Sequence, residues 1–322
     1  MRPDRVVTLI GMLSGLVANA LGAQGDRLAA VPVEVYLADS NLHLVNIYKL
    51  EATVLRESRG RPQQEVLDRL VRDVYAPYAA FWKGYVGDEA SFRRWAGAGL
   101  LDTAHVAQAR LAAVLDVPLD RLFTETADWI VRTTGRRPHG TWYLLFGPGW
   151  TDMGGLRDGS MLTDFAKMEP DREAIAVLLP HELTHMVHGS SPAVRSDPDT
   201  GTVLAHIVSE GLATYADYVY WGSRRTPAQA VGYSDGEWTW ALAHEADLLA
   251  AAKPLFDSRR HADHDSVASR SRTLVAAGPT AAGYFLGFRM VQAYVAKHGP
   301  ASWTDLLDLP VRQVLVRSEY RL

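Results

Sequence analysis

The 322-residue chain contains no cysteine. Disulfide frameworks, thiol nucleophiles and thiolate metal sites are therefore excluded, and a bound metal must be held by histidine and carboxylate. A basic excess is missing too: 33 Lys and Arg stand against 37 Asp and Glu, a formal net charge of −4. With no electrostatic footprint for it, nucleic acid is not expected as a partner. Lysine supplies only five of those 33 basic residues, a bias that reads as codon composition. Neither a G-K-[ST] P-loop nor a spaced G-x-G-x-x-G entering a helix occurs, so the glycines form no nucleotide cradle. Beyond the N-terminus no apolar run is long enough to span a bilayer.

What is present begins with a three-part N-terminus. Arg2 and Arg5 precede an uncharged, mostly apolar stretch from Val6 to about Ala18, and small residues follow at Ala18-Asn19-Ala20 and Leu21-Gly22-Ala23. This is the layout of a secretory signal peptide over residues 1–23, cleaved after Ala20 or after Ala23. The expected location is therefore exported, periplasmic or secreted, with an uncleaved signal anchor as the alternative.

At 48% hydrophobic and 22% charged, the remainder suffices for one large domain or two intimate ones. Residues 24–135 read as a helical scaffold or cap. A short strand is expected at 33–37, and helices at 41–56, 63–78, 91–95, 102–115 and 119–133, from apolar residues at three- and four-residue steps. The aromatics Tyr75, Tyr78, Phe81, Trp82, Tyr85, Phe92 and Trp95 read as core. Nothing in this region carries chemistry.

Residues 136–322 have a different texture. Two strands are expected at 142–146 and 161–165, joined through Gly147, Gly149, Gly154, Gly155 and Gly159. The joint reads either as a loose hairpin connection or as a strand edge to which an extended peptide adds. Asp171 is placed to cap a helix through residues 175–179, which Pro180 should kink or restart at His181. Residues 189–201 read as loop, 202–222 as helix, 224–236 as loop, 237–252 as helix and 257–272 as a mobile polar loop. A last helix is expected at 279–297, stopped by Gly299-Pro300.

The chemistry concentrates in His181-Glu182-Leu183-Thr184-His185. Positions i and i+4 of a helix share a face, so the two imidazoles stand one turn apart with Glu182 beside them. That pattern supplies two ligands for Zn²⁺ and a carboxylate to serve as general base toward water. Catalytic zinc takes three protein ligands, so one is missing. Three candidates are in view. Glu210 lies 25 residues after His185, on the next expected helix, and Gly211 beside it permits close helix approach. His188 shares His185's face but stands about 10 Å along the axis from His181, too far for both to reach one ion. The metzincin pattern fails as well, since His188 stands where its glycine falls and Ser191 where its third histidine would be. His206 stands one turn before Glu210, as a ligand or as a pocket histidine donating to substrate. The run His261-Ala262-Asp263-His264-Asp265 reads as a solvated loop rather than a second metal site.

HELTH followed by Ser209-Glu210-Gly211-Leu212-Ala213 resembles the gluzincins, the His-His-Glu zinc metallopeptidases. The closer likeness is to the poorly characterised YjaZ-like family of predicted Zn-dependent proteases. It rests on the Gly-rich stretch 146–165, HELTH, E-G-L-A and the late Gly283-Tyr284-Phe285-Leu286-Gly287-Phe288, and it covers roughly residues 115–320. The resemblance implies Zn²⁺ held by His181, His185 and Glu210, Glu182 as base, and a donor to the oxyanion from a later helix. Tyr284 fits that last role best, in competition with Tyr215, Tyr218 and His206. The Asp that thermolysin-like enzymes carry one turn after the zinc glutamate is Thr214 here, with Asp217 nearly a turn further on.

The expectation is an α+β, predominantly helical, zincin-like protein with a small β-sheet beside the active-site helix. Its function would be zinc-dependent hydrolysis of a peptide or protein substrate. The alternatives are a catalytically silent, zinc-stabilised binding or chaperone-like domain, and an amide or ester hydrolase acting on other substrates.

Overall fold

The structure is a computed structural model that describes residues 24–37, 41–156 and 158–320. The expected signal segment, residues 1–23, lies outside the described residues. The chain is α+β and predominantly helical, and it divides into two compact units. Residues 24–37, 42–121 and 140–175 form the first, and residues 122–139 with 176–320 form the second.

The first unit is built on a mixed five-stranded sheet in the order β1-β2-β3-β5-β4. The strands are β1 (Glu34–Leu37), β2 (Leu42–Asn46), β3 (Gly140–Leu145), β4 (Met153–Gly155) and β5 (Met161–Asp164). Strand β1 runs antiparallel to β2, β2 and β5 run parallel to β3, and β4 returns antiparallel on β5. Its helices are α1 (residues 24–30), α2 (Ile47–Glu57), α3 (Gln63–Leu70), α4 (Ala79–Tyr85), α5 (Glu89–Trp95) and α6 (Ala104–Asp116); the unit boundary falls within α7 (Leu119–Thr134).

Two expectations need correction here. Residues 41–56 are not one helix: 42–46 pair between β1 and β3, burying Leu42, Leu44 and Val45, and α2 starts only at Ile47. The strands flanking the glycines are not a hairpin, because β3 and β5 are parallel neighbours and β4 forms within their connection. Asp164 at the end of β5 holds that connection. It accepts from Gly147 N, Gly149 N, Ala166 N and Tyr85 Oη at 2.7–2.9 Å. Of the aromatic residues expected in the core, Tyr75, Phe81, Trp82, Tyr85 and Phe92 are buried, while Tyr78 and Trp95 are half-buried; Trp82 stacks on Trp95 at 5.4 Å and lies edge-on to Phe92 at 4.9 Å.

The second unit contains most of α8 (Arg172–Ser190), then α9 (Pro192–Arg195), α10 (Val203–Trp221), α11 (Pro227–Val231) and α12 (Asp235–Ala243). It continues with α13 (Glu245–Ala252), α14 (His261–Ala268), α15 (Ala282–His298) and α16 (Val311–Ser318). Helix α8 runs unbroken through Pro180. The expected loops 189–201, 224–236 and 257–272 each hold a short helix. Thr226 and Gln229 close a capping box that starts α11, a local signal present in the sequence. The helix expected at 237–252 is two helices, parted at His244.

Helices α10 and α15 form the centre of the unit. Their contact needs bare backbone: a Cβ on Gly211 would lie 2.2 Å from Gly287 C, and one on Gly287 would lie 2.0 Å from Ile207 O. No helix of the described residues is long and apolar enough to cross a membrane.

Candidate metal centre

Helix α8 presents His181 and His185 one turn apart, their rings 4.7 Å between centroids. Helix α10, capped at its start by the Thr202 hydroxyl on Ala205 N, brings Glu210 to them. Oε2 of Glu210 lies 3.2 Å from His181 Nε2 and 3.5 Å from His185 Nε2, and the two Nε2 atoms are 3.0 Å apart. The three make up the one group of convergent donors among the described residues.

The donor set suits zinc. Ligand bonds of about 2.0–2.1 Å at tetrahedral angles put neighbouring donor atoms about 3.3 Å apart, close to the three separations seen. Two neutral imidazoles and one carboxylate also leave a fourth position for water or substrate, as catalytic zinc requires.

Electrostatics ties the three side chains together. Burial works against a charge on His185, but the Glu210 carboxylate outweighs it and pushes the imidazole up to about 9. Burial likewise opposes the charge on Glu210, and the two imidazoles reverse this, holding the carboxyl well below its usual range. Glu182 is half-buried beside them, and its charge reaches both His185 and Tyr284.

Tyr284, near the start of α15, lays its ring along that of His181, 6.2 Å between centroids and 19° from parallel. Burial first, and the Glu210 charge second, raise its hydroxyl above the usual phenol range, so it stays protonated and able to donate. The competing tyrosines are occupied by packing. Tyr215 lies against Phe288 and Trp303, and Tyr218 against Tyr215 and Phe288. His206 approaches Glu210 Oε1 at 3.9 Å and stays outside the convergent group, with its ring edge-on to His264 of α14. His188 is buried away from the group, and burial, followed by the charges of His185 and Arg136, lowers its imidazole to about 4.

One feature escaped the sequence. Ser209 Oγ lies 3.0 Å from His185 Nδ1, the ring nitrogen facing away from the other donors, where a partner fixes tautomer and ring orientation. The serine sits next to Glu210 in the sequence, but its contact depends on how α10 turns against α8. Asp217 engages Arg225 through Oδ2, while its buried Oδ1 makes no hydrogen bond among the described residues. Burial pushes its carboxyl up to about 6, opposed by the charges of Arg225 and His181.

Residues 144–316, more than half of the chain, match the model of a family described as Predicted Zn-dependent protease (DUF2268). The chain belongs to that family. The matched region contains every donor of the centre, together with Glu182 and Tyr284. The family is described by zinc, and the His-His-Glu group suits that ion. No curated protein and no solved structure matches the chain.

Proposed function

We propose that the protein is an exported zinc metallopeptidase that hydrolyses peptide bonds. The observation that carries this reading is the convergence of His181 and His185 with Glu210, one donor atom from each within 4.8 Å of one another, beside the half-buried Glu182. Membership of a family described as zinc-dependent proteases supports it, and the N-terminal layout of charged head, apolar stretch and small residues supports export.

In this reading His181, His185 and Glu210 hold the ion. Bound zinc supplies Lewis acidity, polarising the scissile carbonyl and making water acidic enough to attack near neutral pH. Glu182 takes the proton of the attacking water and delivers it to the departing amine. Ser209 keeps the His185 ring in register through Nδ1. Tyr284 donates its hydroxyl proton in a hydrogen bond to the developing oxyanion. Glu182 is not needed to hold metal, which favours hydrolysis over a silent, zinc-stabilised binding domain.

The test starts with metal analysis of the purified protein. One zinc per chain is expected, lost in a His181→Ala/Glu210→Ala double variant and retained in Glu182→Gln. Absence of stoichiometric zinc, or its persistence in the double variant, overturns the site. Wild type should cleave members of a random peptide library, and Glu182→Gln should cleave none. A zinc-loaded wild type that cleaves no peptide moves the reading to the binding domain or, if esters or other amides are consumed, to a non-peptide hydrolase. Export is checked by the N-terminus of the secreted protein, expected at Leu21 or Gln24.

A further inference from the structure

Arg270 lies in the segment between α14 and α15, a stretch fastened at several points. Tyr233 Oη donates to Thr280 O at 2.9 Å, Ala281 N donates to Ser269 O at 3.1 Å, and Thr273 pairs with Thr280. Gly278 rests so closely on Trp240 that a Cβ there would lie 2.9 Å from the indole.

Within this frame the Arg270 guanidinium sits in a slot with two defined walls. One is the Tyr284 ring, whose centroid is 5.5 Å from Cζ. The other is the bare backbone of Gly232, the left-handed residue ending α11, where a Cβ would lie 2.7 Å from Nη1. Glycine is favoured there by the backbone itself, with φ at 81°. The Tyr284 ring also lies along that of His181, 6.2 Å between centroids, so Tyr284 is a shared neighbour of the cation and of a metal-centre histidine.

Arg270 is exposed to solvent. Among the described residues no hydrogen bond or salt bridge to the guanidinium is seen, although its field reaches Tyr233 and Glu237. Glu237 is committed elsewhere, accepting from Ser234 N and Ser234 Oγ in the capping box of α12. An arginine oriented on an aromatic face, with its donors open beside the metal centre, suits bidentate binding of an oxyanion, and the oxyanion that a peptide substrate carries is a carboxylate.

We infer that Arg270 is a specificity-determining residue that receives a carboxylate of the substrate close to the scissile bond. This rests on the peptidase reading above. The carboxylate is either the substrate's own C-terminus or an Asp or Glu side chain.

Three random hexapeptide pools, blocked at the N-terminus, separate these sources. The first pool carries free C-termini, and the second carries C-terminal amides. The third carries C-terminal amides and omits Asp and Glu. Wild type should consume carboxylate-bearing peptides with a kcat/KM roughly 10- to 100-fold above matched peptides lacking the group, the scale of one charge-assisted hydrogen bond. Preference for the first pool over the second identifies the C-terminus, and preference for the second over the third identifies acidic side chains. Arg270→Ala should abolish the preference, chiefly through KM, with zinc content and thermal midpoint unchanged. Arg270→Lys should recover part of it, and Arg270→Glu should favour peptides bearing Lys or Arg. Equal consumption of all pools by wild type, or an unchanged preference in Arg270→Ala, overturns the inference and leaves the peptidase reading standing. Consumption of no pool by zinc-loaded wild type removes both.

Discussion

Gly211 of α10 and Gly287 of α15 face each other with no side chain between them, so that a Cβ on Gly211 would lie 2.4 Å from Gly287 Cα. This contact sets the distance between the helix bearing Glu210 and the helix bearing Tyr284. In an open helix Gly→Ala stabilises by up to about 1 kcal/mol. At this crossing the sign reverses. Gly211→Ala and Gly287→Ala should each destabilise by about 1–3 kcal/mol or more, because backbone must move to admit the methyl. Gly236→Ala, where nothing lies within 4 Å of the added carbon, is the control and should stabilise slightly. Urea unfolding of the three variants decides the matter. A Gly211→Ala protein as stable as Gly236→Ala would refute the close crossing.

Ser209 and His185 furnish a second test. Removing a partner from the far nitrogen of a ligand histidine typically weakens metal binding by roughly 10- to 100-fold. Ser209→Ala should do this in chelator competition, and Ser209→Thr should restore most of the affinity. Equal zinc affinity in all three proteins would show that the 3.0 Å contact does not orient the ring.

Tyr284→Phe separates binding from chemistry. The ring that lies along His181 is retained and only the hydroxyl is lost. Zinc content should be unchanged and kcat should fall by roughly 10²- to 10³-fold, as for deletion of an oxyanion donor. An unaltered kcat would return Tyr284 to a packing role.

Glu51 gives a dependence on pH within the first unit. Its carboxyl is fully buried, Oε2 accepts from Phe146 N at 2.9 Å, and Oε1 makes no hydrogen bond among the described residues. Burial, and next the nearby Asp164 charge, raise it well above the ordinary 4.5, against the Phe146 hydrogen bond. A folded pKa above the unfolded one means the folded chain holds the proton longer. The associated stability is intact below about pH 4.5 and is lost as pH rises through the raised value. Glu51→Gln keeps an acceptor for Phe146 and has no proton to lose. Its melting temperature, relative to wild type, should therefore climb as pH increases from 4 towards 8. A difference independent of pH would mean that Glu51 does not titrate abnormally.

Near the end of the described chain, Tyr320 Oη donates to Glu245 Oε1 at 2.6 Å, and Arg289 Nε donates to the same oxygen at 2.8 Å. Tyr320→Phe removes one donor from a buried carboxylate and should cost about 1.5–3 kcal/mol. Denaturant titration measures it, and a loss below about 0.5 kcal/mol would place the bond among solvent-screened surface contacts.

The legible features of this protein were those governed by local periodicity. Four-residue spacing put His181 and His185 on one face, Thr202 and Asp171 announced helix starts, and Gly299 announced a stop. Glu210 was legible because a helix containing a single glutamate, with glycine at its side, had to return to the histidines. Residues 42–46 were not legible as a strand. Their apolar content also fits a helix, and only pairing with β1 and β3, the latter nearly a hundred residues away, favours the extended form. Pro180 was expected to interrupt α8, but the helix continues through it, since one lost backbone donor is a smaller penalty than unpacking the buried Leu179 and Leu183 on either side.

The sequence by itself determined the chemistry available: no thiolate, two histidines at helical spacing, and one carboxylate to complete a zinc set. The tertiary structure decided what surrounds that set. Which hydroxyl reaches His185 Nδ1, which tyrosine lies along His181 and which arginine sits over that tyrosine depend on how α10, α15 and the segment before α15 pack together. Such arrangements come from packing between residues distant in sequence, and no short-range pattern records them.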